Sequence, residues 1–498
     1  MQNYDKMNFI TSITDTSNFR VGGHLPYYLW IVLLSLGTGI IIAFGFLTHF
    51  QILLLVGAFV LFYFGFKRPD IICLITIILM FIPLSLGTVF KARITWVAEP
   101  LILLLFVIIL LRNLNSKEKS PVLSSRKNPF LIPILIYGFV LIISYMRYPL
   151  PASSIAGFAE EMGGIRYYYE KIILFVFCIS LSFLIERFDK FSEKLFNVLL
   201  LMAVVITSVG FLISISSVCN DFIRNTIASE IFTDTAILTG MWYKTVDMLT
   251  DAMRNAVLWI AAFGILILLS DLVRVRRTVK IVLFIFFFAG LVFSATRSFF
   301  FGTLCALIVW AFLSGNKKLL FLILLITIIG FLLPGMGLVS RQFDRILYFP
   351  ADLDKLTSFR YELFKVYWTM FLENPIFGVG VGATGVSQLP AASPEYFLQQ
   401  NLRFGGHGFF LGTLYTQGVI GLLPFLLICF LTVRIALKLY RLSDQLYRAI
   451  GLFSVLFISY SIIPFLIGGD VTYNQLFVVV GILAGAYAKS KKENDSEK

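Results

Sequence analysis

Apolar runs long enough to form transmembrane helices recur along the chain, separated by short polar segments. A helix needs about 20 apolar residues to cross a hydrocarbon layer of ~30 Å, and lipid cannot satisfy the polar backbone groups of an irregular chain. The runs lack the alternation that is typical of membrane β-strands. The pattern therefore predicts an all-α, polytopic membrane protein with about 14 transmembrane helices. The predicted spans are 27–47, 51–66, 71–89, 97–111, 130–146, 170–185, 195–215, 255–272, 281–295, 298–314, 319–336, 408–433, 449–467 and 474–488.

These spans predict a single transmembrane domain over 27–488. A cytoplasmic N-terminal segment, 1–26, precedes it, and a cytoplasmic tail, 489–498, follows it. The first apolar run is too long for the apolar region of a cleavable signal peptide and lacks a small-residue cleavage site, so we expect it to remain as the first span. No internal repeat stands out.

The charged residues are distributed unequally between the two sides of the membrane. The chain has 41 Lys and Arg against 28 Asp and Glu, a net charge of +13, although only 14% of its residues are charged and 58% are hydrophobic. The excess of cations falls in the loops on the side of both termini, which places the termini in the cytoplasm. The basic charge therefore indicates insertion into the cell inner (plasma) membrane, with membrane lipids as partners and no nucleic acid.

The longest polar segment, 337–407, falls on the outer side of the membrane. Two shorter outside segments, 147–169 and 216–254, lie on the same face. Long loops gathered on one face are where binding and catalysis concentrate. We therefore expect 337–407 to be a large extracytoplasmic catalytic loop with short helices, and the active face of this multi-pass protein to be periplasmic.

Residues 357–373 are predicted to form a short amphipathic helix in this loop. Asn374–Pro375 ends the helix, because the residue before proline is disfavoured in the α-helical region. At 100° per residue, Arg360 falls on the apolar face, opposite the polar face of Lys365 and Glu373. An arginine there either pairs with a bound anion or extends to lipid phosphate, and the spacing favours neither alternative.

A run of alternating glycines follows the helix, at Gly378, Gly380 and Gly382. Glycine lets the backbone approach a ligand closely, so the run resembles a loose phosphate cradle, but it also suits a tightly packed turn. The run follows a helix and a proline rather than a strand, which excludes a Rossmann dinucleotide site. Both interpretations stay open, and the three glycines are weaker candidates for substrate binding.

His407 is the strongest candidate for acid–base chemistry. It lies in Arg403-Phe-Gly-Gly-His407-Gly408, at the end of the long loop and directly before a predicted span. An imidazole that titrates near neutral pH can take a proton from a sugar hydroxyl, and the neighbouring glycines leave room for a substrate. The alternative is a structural histidine at the membrane surface. Arg403 is a weaker candidate for substrate binding.

Two further arginines lie at predicted outer helix ends. Arg297 follows Ser294-Ala-Thr at the hairpin between spans 281–295 and 298–314, and Arg166 lies just before span 170–185. Ionisable groups at membrane depth are functional candidates, with snorkelling to lipid headgroups as the structural alternative. The three histidines and five cysteines are scattered. We therefore expect no metal or other cofactor.

The motifs around the long loop occur in the order found in a known family. A single ordered set resembles the O-antigen ligase and O-antigen polymerase superfamily: Ser358-Phe-Arg360…Trp368…Glu373-Asn-Pro375-Ile-Phe-Gly378-Val-Gly380-Val-Gly382, then His407, then Gly418-Val-Ile-Gly421-Leu422. Thr296-Arg297 resembles an upstream Ser-Arg element of that family. The resemblance covers 290–430. One departure is Gly408, because the family's histidine is usually followed by asparagine.

The resemblance implies a metal-independent, inverting glycosyltransferase that acts on the periplasmic face. The donor would be a glycan on undecaprenyl diphosphate, and the acceptor a hydroxyl of a glycan or of a lipid-linked acceptor. Arg297 and Arg360 would bind the diphosphate, and His407 would be the general base. A diphosphate is already a good leaving group, so fixed arginines that hold the departing charge suit the reaction better than a strong acid.

Several functions are compatible with these residues. An O-antigen or polysaccharide polymerase would use another carrier-linked repeat as acceptor, whereas an O-antigen ligase of lipopolysaccharide biosynthesis would use lipid A–core or another acceptor. We favour the polymerase because of the number of spans and the missing asparagine. A polysaccharide lipid transporter or flippase, or a non-catalytic assembly component, is the rival outside the family. Few mid-membrane charges and no repeated halves disfavour a transporter.

Overall fold

The computed structural model describes residues 62–81, 85–86, 92–93, 95–115, 128–147, 165–215, 260–293, 297–315, 360–380, 409–467 and 471–496. The chain divides into two compact units, Met1–Phe64 and Gly65–Lys498. The described residues of the first unit, 62–64, are helical. All elements named below belong to the second unit.

The described part of the second unit is helical apart from one antiparallel pair of two-residue strands, β1 (Ser85–Leu86) and β2 (Ala92–Arg93). The helices are α1 (Pro69–Phe81), α2 (Thr95–Asn115), α3 (Leu131–Arg147), α4 (Ile165–Arg187), α5 (Phe191–Ile215), α6 (Ile260–Leu269), α7 (Arg277–Phe293), α8 (Arg297–Leu313), α9 (Arg360–Glu373), α10 (Phe409–Tyr440), α11 (Gln445–Ile467) and α12 (Val471–Ser496).

The predicted span 71–89 is wrong in its second half. Helix α1 ends at Phe81, and strand β1 begins at Ser85. Pro83 lies between them in the sequence, and proline lacks an amide N–H and disfavours helix at the residue before it. Within the described ranges, the all-α prediction is therefore confirmed except at this strand pair.

Three described helical stretches, Phe191–Gly210, Phe409–Tyr440 and Gln445–Leu466, are long and apolar enough to cross a membrane. Shorter apolar helices overlap further predicted spans; they are Pro69–Met80, Leu131–Arg147, Ile260–Leu269 and Ser298–Leu313. These helices fit a membrane protein. The number of fourteen spans, the cytoplasmic termini and the domain limits stay predictions, and the predicted spans 27–47 and 319–336 lie outside the described residues.

Helices α4, α8, α10, α11 and α12 pack into one bundle, with α12 along α4 and α11 against both α8 and α10. Small residues allow the α4–α12 contact, because a Cβ at Gly485 would lie 2.5 Å from the carbonyl oxygen of Ser182. The hydroxyl of Ser182 donates to the carbonyl oxygen of Gly481 at 2.9 Å. Glycines four residues apart let membrane helices pack backbone to backbone, since lipid supplies no hydrophobic force between them.

Aromatic rings anchor the start of α10 in the bundle. The Phe409 ring centroid lies 4.5 Å from that of Phe425 and 5.4 Å from that of Phe465 on α11. Phe409 is buried. The first residue of α10, which directly follows the predicted catalytic loop, is therefore held by side-chain packing.

Candidate functional site

Helix α9 confirms the predicted amphipathic helix over 360–373. Tyr367 is 1% exposed, whereas Lys365, Thr369 and Glu373 are exposed. The polar residues therefore share one face, as their spacing predicts. The predicted first residues of this helix, 357–359, lie outside the described residues.

A tight turn, Asn374–Gly380, follows α9. The amide of Gly378 donates to the carbonyl oxygen of Asn374 at 2.9 Å. Gly378 and Gly380 have φ angles of 67° and 92°. Side chains other than that of glycine are disfavoured at such angles, so both positions require the residue found there.

Helix α10 is broken at Gly418. Its φ and ψ angles, 67° and −165°, are not helical, so the helix consists of a short first segment, 409–417, and a longer second one. At about 1.5 Å per residue, the second segment, 419–440, is by itself long enough to cross a hydrocarbon layer of ~30 Å. The predicted span 408–433 therefore contains a break that we did not expect.

The turn and the break are joined by main-chain atoms, and we call this contact the glycine junction (Asn374–Gly380 with Tyr415–Ile420). Four backbone hydrogen bonds are described across it, from Val379 to Tyr415 (2.9 Å), Gly380 to Thr416 (2.9 Å), Val419 to Pro375 (2.9 Å) and Ile420 to Ile376 (3.2 Å). The non-helical angles at Gly418 leave carbonyl groups of the first segment available to accept the turn. The turn Asn374–Gly380 thus binds α10 at the break in that helix.

Glycine is required on both sides of the junction because the two backbones touch. A Cβ at Gly378 would lie 2.5 Å from the amide nitrogen of Gln417, and a Cβ at Gly418 would lie 2.2 Å from the carbonyl oxygen of Ile376. Both distances are far below a normal contact, and the atoms met are backbone atoms.

Three consecutive amides of the turn are engaged in main-chain hydrogen bonds. The amides of Gly378, Val379 and Gly380 donate to Asn374, Tyr415 and Thr416. A phosphate cradle uses such amides as donors to the ligand. Of the two interpretations of the glycine run, the structure therefore describes the tightly packed turn at Gly378 and Gly380, while substrate binding by these residues stays a prediction.

Two tyrosines connect α9 to the first segment of α10. The rings of Tyr367 and Tyr415 stack with centroids 5.0 Å apart and an interplanar angle of 16°. Phe364 and Leu411, each about one helical turn earlier on its own helix, pack against this pair. Helix α9 and the segment 409–417 therefore lie side by side. They run in the same direction, because Pro375, two residues after α9, accepts a hydrogen bond from Val419, which follows the segment.

The end of α3 contacts both partners of the glycine junction. Arg147 Nη1 donates to the carbonyl oxygen of Gly378 at 2.8 Å, and the guanidinium lies 5.4 Å from the ring centroid of Phe377. The hydroxyl of Ser144 donates to the carbonyl oxygen of Thr416 at 3.3 Å. One helical turn of α3 thus reaches the turn through Arg147 and α10 through Ser144.

The side chain of Gln417 is buried beside the break. It is 1% exposed, and neither Oε1 nor Nε2 has a hydrogen-bond partner among the residues that the structure describes. Its Oε1 would lie 2.7 Å from a Cβ at Gly421, so the side chain covers that glycine. Burying an amide without a hydrogen-bond partner costs folding free energy, so the side chain of Gln417 is a target for substitution.

The structure places some of the sequence-predicted site residues and leaves others outside its description. Arg297 and Arg360 are the first residues of α8 and α9, and Arg166 is the second residue of α4. Their side chains are not among those described. His407, Arg403 and Gly382 lie outside the described residues. The roles of all these residues therefore stay predictions.

Sequence reasoning missed Arg147. A signal was available, because Arg147 directly follows the predicted span 130–146 on the outer side, where the positive-inside rule makes arginine uncommon. Glu99 and Lys171 were missed too: both are charged and buried, on the packed helices α2 and α4. Within the described ranges, no three His, Cys, Asp or Glu side chains lie close enough to hold a metal ion.

These observations define a helical membrane protein in which an amphipathic helix and a glycine turn are docked on a broken membrane helix. Residues 281–426 match the family model described as O-antigen ligase. The resemblance to the O-antigen ligase and polymerase superfamily is confirmed, and the chain carries a domain of this superfamily. The match includes α9 and the glycine junction but not Arg147. No curated protein sequence matches the chain significantly.

Proposed function

We propose that the protein is an integral-membrane glycosyltransferase of the inner membrane. It moves a glycan from undecaprenyl diphosphate to an acceptor sugar hydroxyl on the periplasmic face, without a metal ion and with inversion of the anomeric centre. The family match supports a function of the O-antigen ligase or polymerase type. The substrate, the membrane face and the stereochemistry belong to the proposal.

The parallel arrangement of α9 and the first segment of α10 is the observation that carries the proposal. The helices are tied at Tyr367–Tyr415 and again at Pro375–Val419. About 10 Å before the stacked tyrosines along its axis, α9 begins with Arg360. At about the same distance before them, α10 begins with Phe409, and His407 lies two residues earlier in the sequence. This arrangement favours the proposed cation and the proposed base at one end of the paired helices.

The proposed chemistry needs these two groups on opposite sides of one sugar. Arg360 and Arg297 hold the diphosphate and stabilise its charge as the bond to the anomeric carbon breaks. His407 takes the proton of the attacking hydroxyl. Arg166, Arg403, Gly378, Gly380 and Gly382 are weaker candidates for contacts with the substrates.

Transfer by the purified protein tests the proposal. The substrate is a carrier-linked glycan repeat in detergent or proteoliposomes, and the product is resolved by size. We expect His407→Ala to lower the rate about 10²–10⁴-fold, as for loss of a general base. We expect Arg360→Ala to lower it about 10²–10³-fold, because one charge-stabilising donor is lost.

Matched controls separate these effects from damage to the fold. His24→Ala removes a histidine of the predicted cytoplasmic segment, and Lys365→Ala removes an exposed cation from the polar face of α9. Both variants should transfer at the wild-type rate. Wild-type protein that moves the carrier-linked glycan across a vesicle membrane without forming product would make it a transporter, and unchanged products in both site variants would leave it a non-catalytic component.

The same assay decides between the two family functions. We favour a polymerase, which forms a ladder of lengths from carrier-linked repeats alone. An O-antigen ligase gives one addition to lipid A–core or another second acceptor.

A further inference from the structure

We propose that Arg147 is a positioning residue of the glycosyl transfer: it fixes the turn Asn374–Gly380, and with it helix α9, to the end of α3. The inference rests on the proposed function. Arg147 lies outside the segment that matches the family, and it contacts the turn over a sequence separation of 231 residues.

The contact is specific in geometry. The guanidinium donates to Gly378 at 2.8 Å and covers the ring of Phe377, so it holds the main chain of the turn by a hydrogen bond and a neighbouring side chain by a cation–π contact. A lysine provides the charge but not the planar group that makes both contacts at once.

The position of the contact explains why it matters to transfer. The turn connects α9, which begins with Arg360, to the carbonyl groups of Tyr415 and Thr416 on α10. Because α9 is a short helix with a small apolar contact to α10, the turn sets where it lies along that helix. Arg147 donates to the turn and Ser144 donates to α10, so helix α3 fixes the position of the turn along the axis of α10.

Arg112 is a natural control for this inference. It lies in the last turn of α2, as Arg147 lies in the last turn of α3. Its Nη2 donates to the backbone carbonyls of Phe66 and Lys67, and its guanidinium lies 5.5 Å from the ring centroid of Phe66. It lies at the predicted cytoplasmic end of its span, whereas Arg147 lies at the predicted outer end. The two arginines therefore make the same kinds of contact at opposite predicted faces.

Steady-state transfer kinetics compare Arg147→Met with Arg112→Met. We expect Arg147→Met to lower kcat about 10–100-fold with donor KM within about threefold, because a displaced group slows reaction without removing a binding contact. Arg147→Lys should recover part of the lost kcat. Arg112→Met should keep kcat within about twofold of wild type, since its contact lies away from the loop.

Hydrogen exchange measures positioning directly. The amides of Val379 and Gly380 should exchange faster in Arg147→Met than in wild type or Arg112→Met, because their hydrogen bonds to α10 lose a support. Unchanged exchange there would overturn the inference. So would an equal loss of kcat in both methionine variants, and a raised donor KM at unchanged kcat would make Arg147 a donor-binding residue instead.

The two proposals fail in different ways. If wild-type protein transfers no carrier-linked glycan, the proposed function is lost. The exchange of Val379 and Gly380 in Arg147→Met would then still report whether Arg147 holds the turn.

Discussion

The helix bundle and the glycine junction are both closely packed, but different atoms hold them together. In the bundle, apolar side chains fill the space between helices, and Gly485 allows α12 to approach α4. In the junction, four backbone hydrogen bonds and an arginine hold a turn on a broken helix. We therefore expect substitutions in the bundle to change stability. Substitutions in the junction should instead change the position of the turn Asn374–Gly380 and, with it, the rate of the proposed glycan transfer.

Gly418→Ala is expected to have the largest effect on this comparison. A Cβ there meets the carbonyl oxygen of Ile376 at 2.2 Å, and the φ and ψ angles of 67° and −165° lie in a region used almost only by glycine, which adds roughly 1–3 kcal/mol of backbone strain. The turn must move away from α10, so we expect the transfer rate to fall about 100-fold. Thermal unfolding of the bundle, followed by circular dichroism, should show no loss of stability beyond that strain.

Gly315→Ala separates the two causes. Gly315 has the same φ angle of 67°, but a Cβ there meets no atom within 4 Å. This control therefore carries a positive φ angle without the collision. A similar loss of transfer in both variants would show that contact across the junction does not control the reaction.

Gly485→Ala tests the other side of the comparison. The added Cβ meets the carbonyl oxygen of Ser182 at 2.5 Å in the bundle, so α12 must shift from α4. We expect a loss of about 1–3 kcal/mol of stability, as for overpacking of a core. The transfer rate per folded molecule should stay within about twofold of wild type. A rate that falls while stability is unchanged would break the proposed division between the two regions.

The tyrosine pair tests the comparison through an effect on stability of intermediate size. We expect a double-mutant cycle of Tyr367→Leu and Tyr415→Leu to give a coupling energy of about 0.5–1.5 kcal/mol, because the stacked rings interact beyond their buried area. Denaturant unfolding measures the energy. The same cycle with Phe196 on α5 and Phe453 on α11, whose ring centroids lie 5.4 Å apart away from the junction, is the control. Additive effects at the tyrosines would mean that the stack does not tie α9 to α10.

Gln417→Met is expected to have the smallest effect on stability. The amide has no hydrogen-bond partner among the described residues, so its replacement by an apolar side chain of similar length removes no bond. We expect stability to be unchanged or raised by up to about 1 kcal/mol. Thermal unfolding with Gln475→Met, the same change at a second buried amide, provides the comparison. A clear loss of stability only at Gln417 would reveal a partner such as bound water.

The sequence predicts the features that depend on neighbouring residues. The apolar periodicity and Asn374–Pro375 predict α9 and its end, and the apolar runs predict most of the described helices. The break at Gly418 was not predicted, because Gly418-Val-Ile-Gly421 lies within an apolar run and looks like helix interior. The break is stabilised by the distant turn, which local patterns do not report.

The candidate site likewise combines features that the sequence predicts with features that only the fold reveals. The motif order predicts the superfamily, and the family match confirms it. The contact of Arg147 with Gly378 joins residues far apart in sequence, so only the fold reveals it. The proposed roles of Arg297, Arg360 and His407 depend on side chains outside those described and await the transfer assays.

The main-chain bonds of the junction leave its side chains free to diversify. Ile376 and Val419 are 58% and 39% exposed, although their backbones take part in the contact, whereas the ring of Phe377 is needed for the contact with Arg147. Replacing the side chains of Ile376 and Val419 leaves the four hydrogen bonds intact, because side chains take no part in them. Mutant libraries at these two positions are therefore a practical starting point for changing which sugars the proposed transferase accepts while its architecture persists.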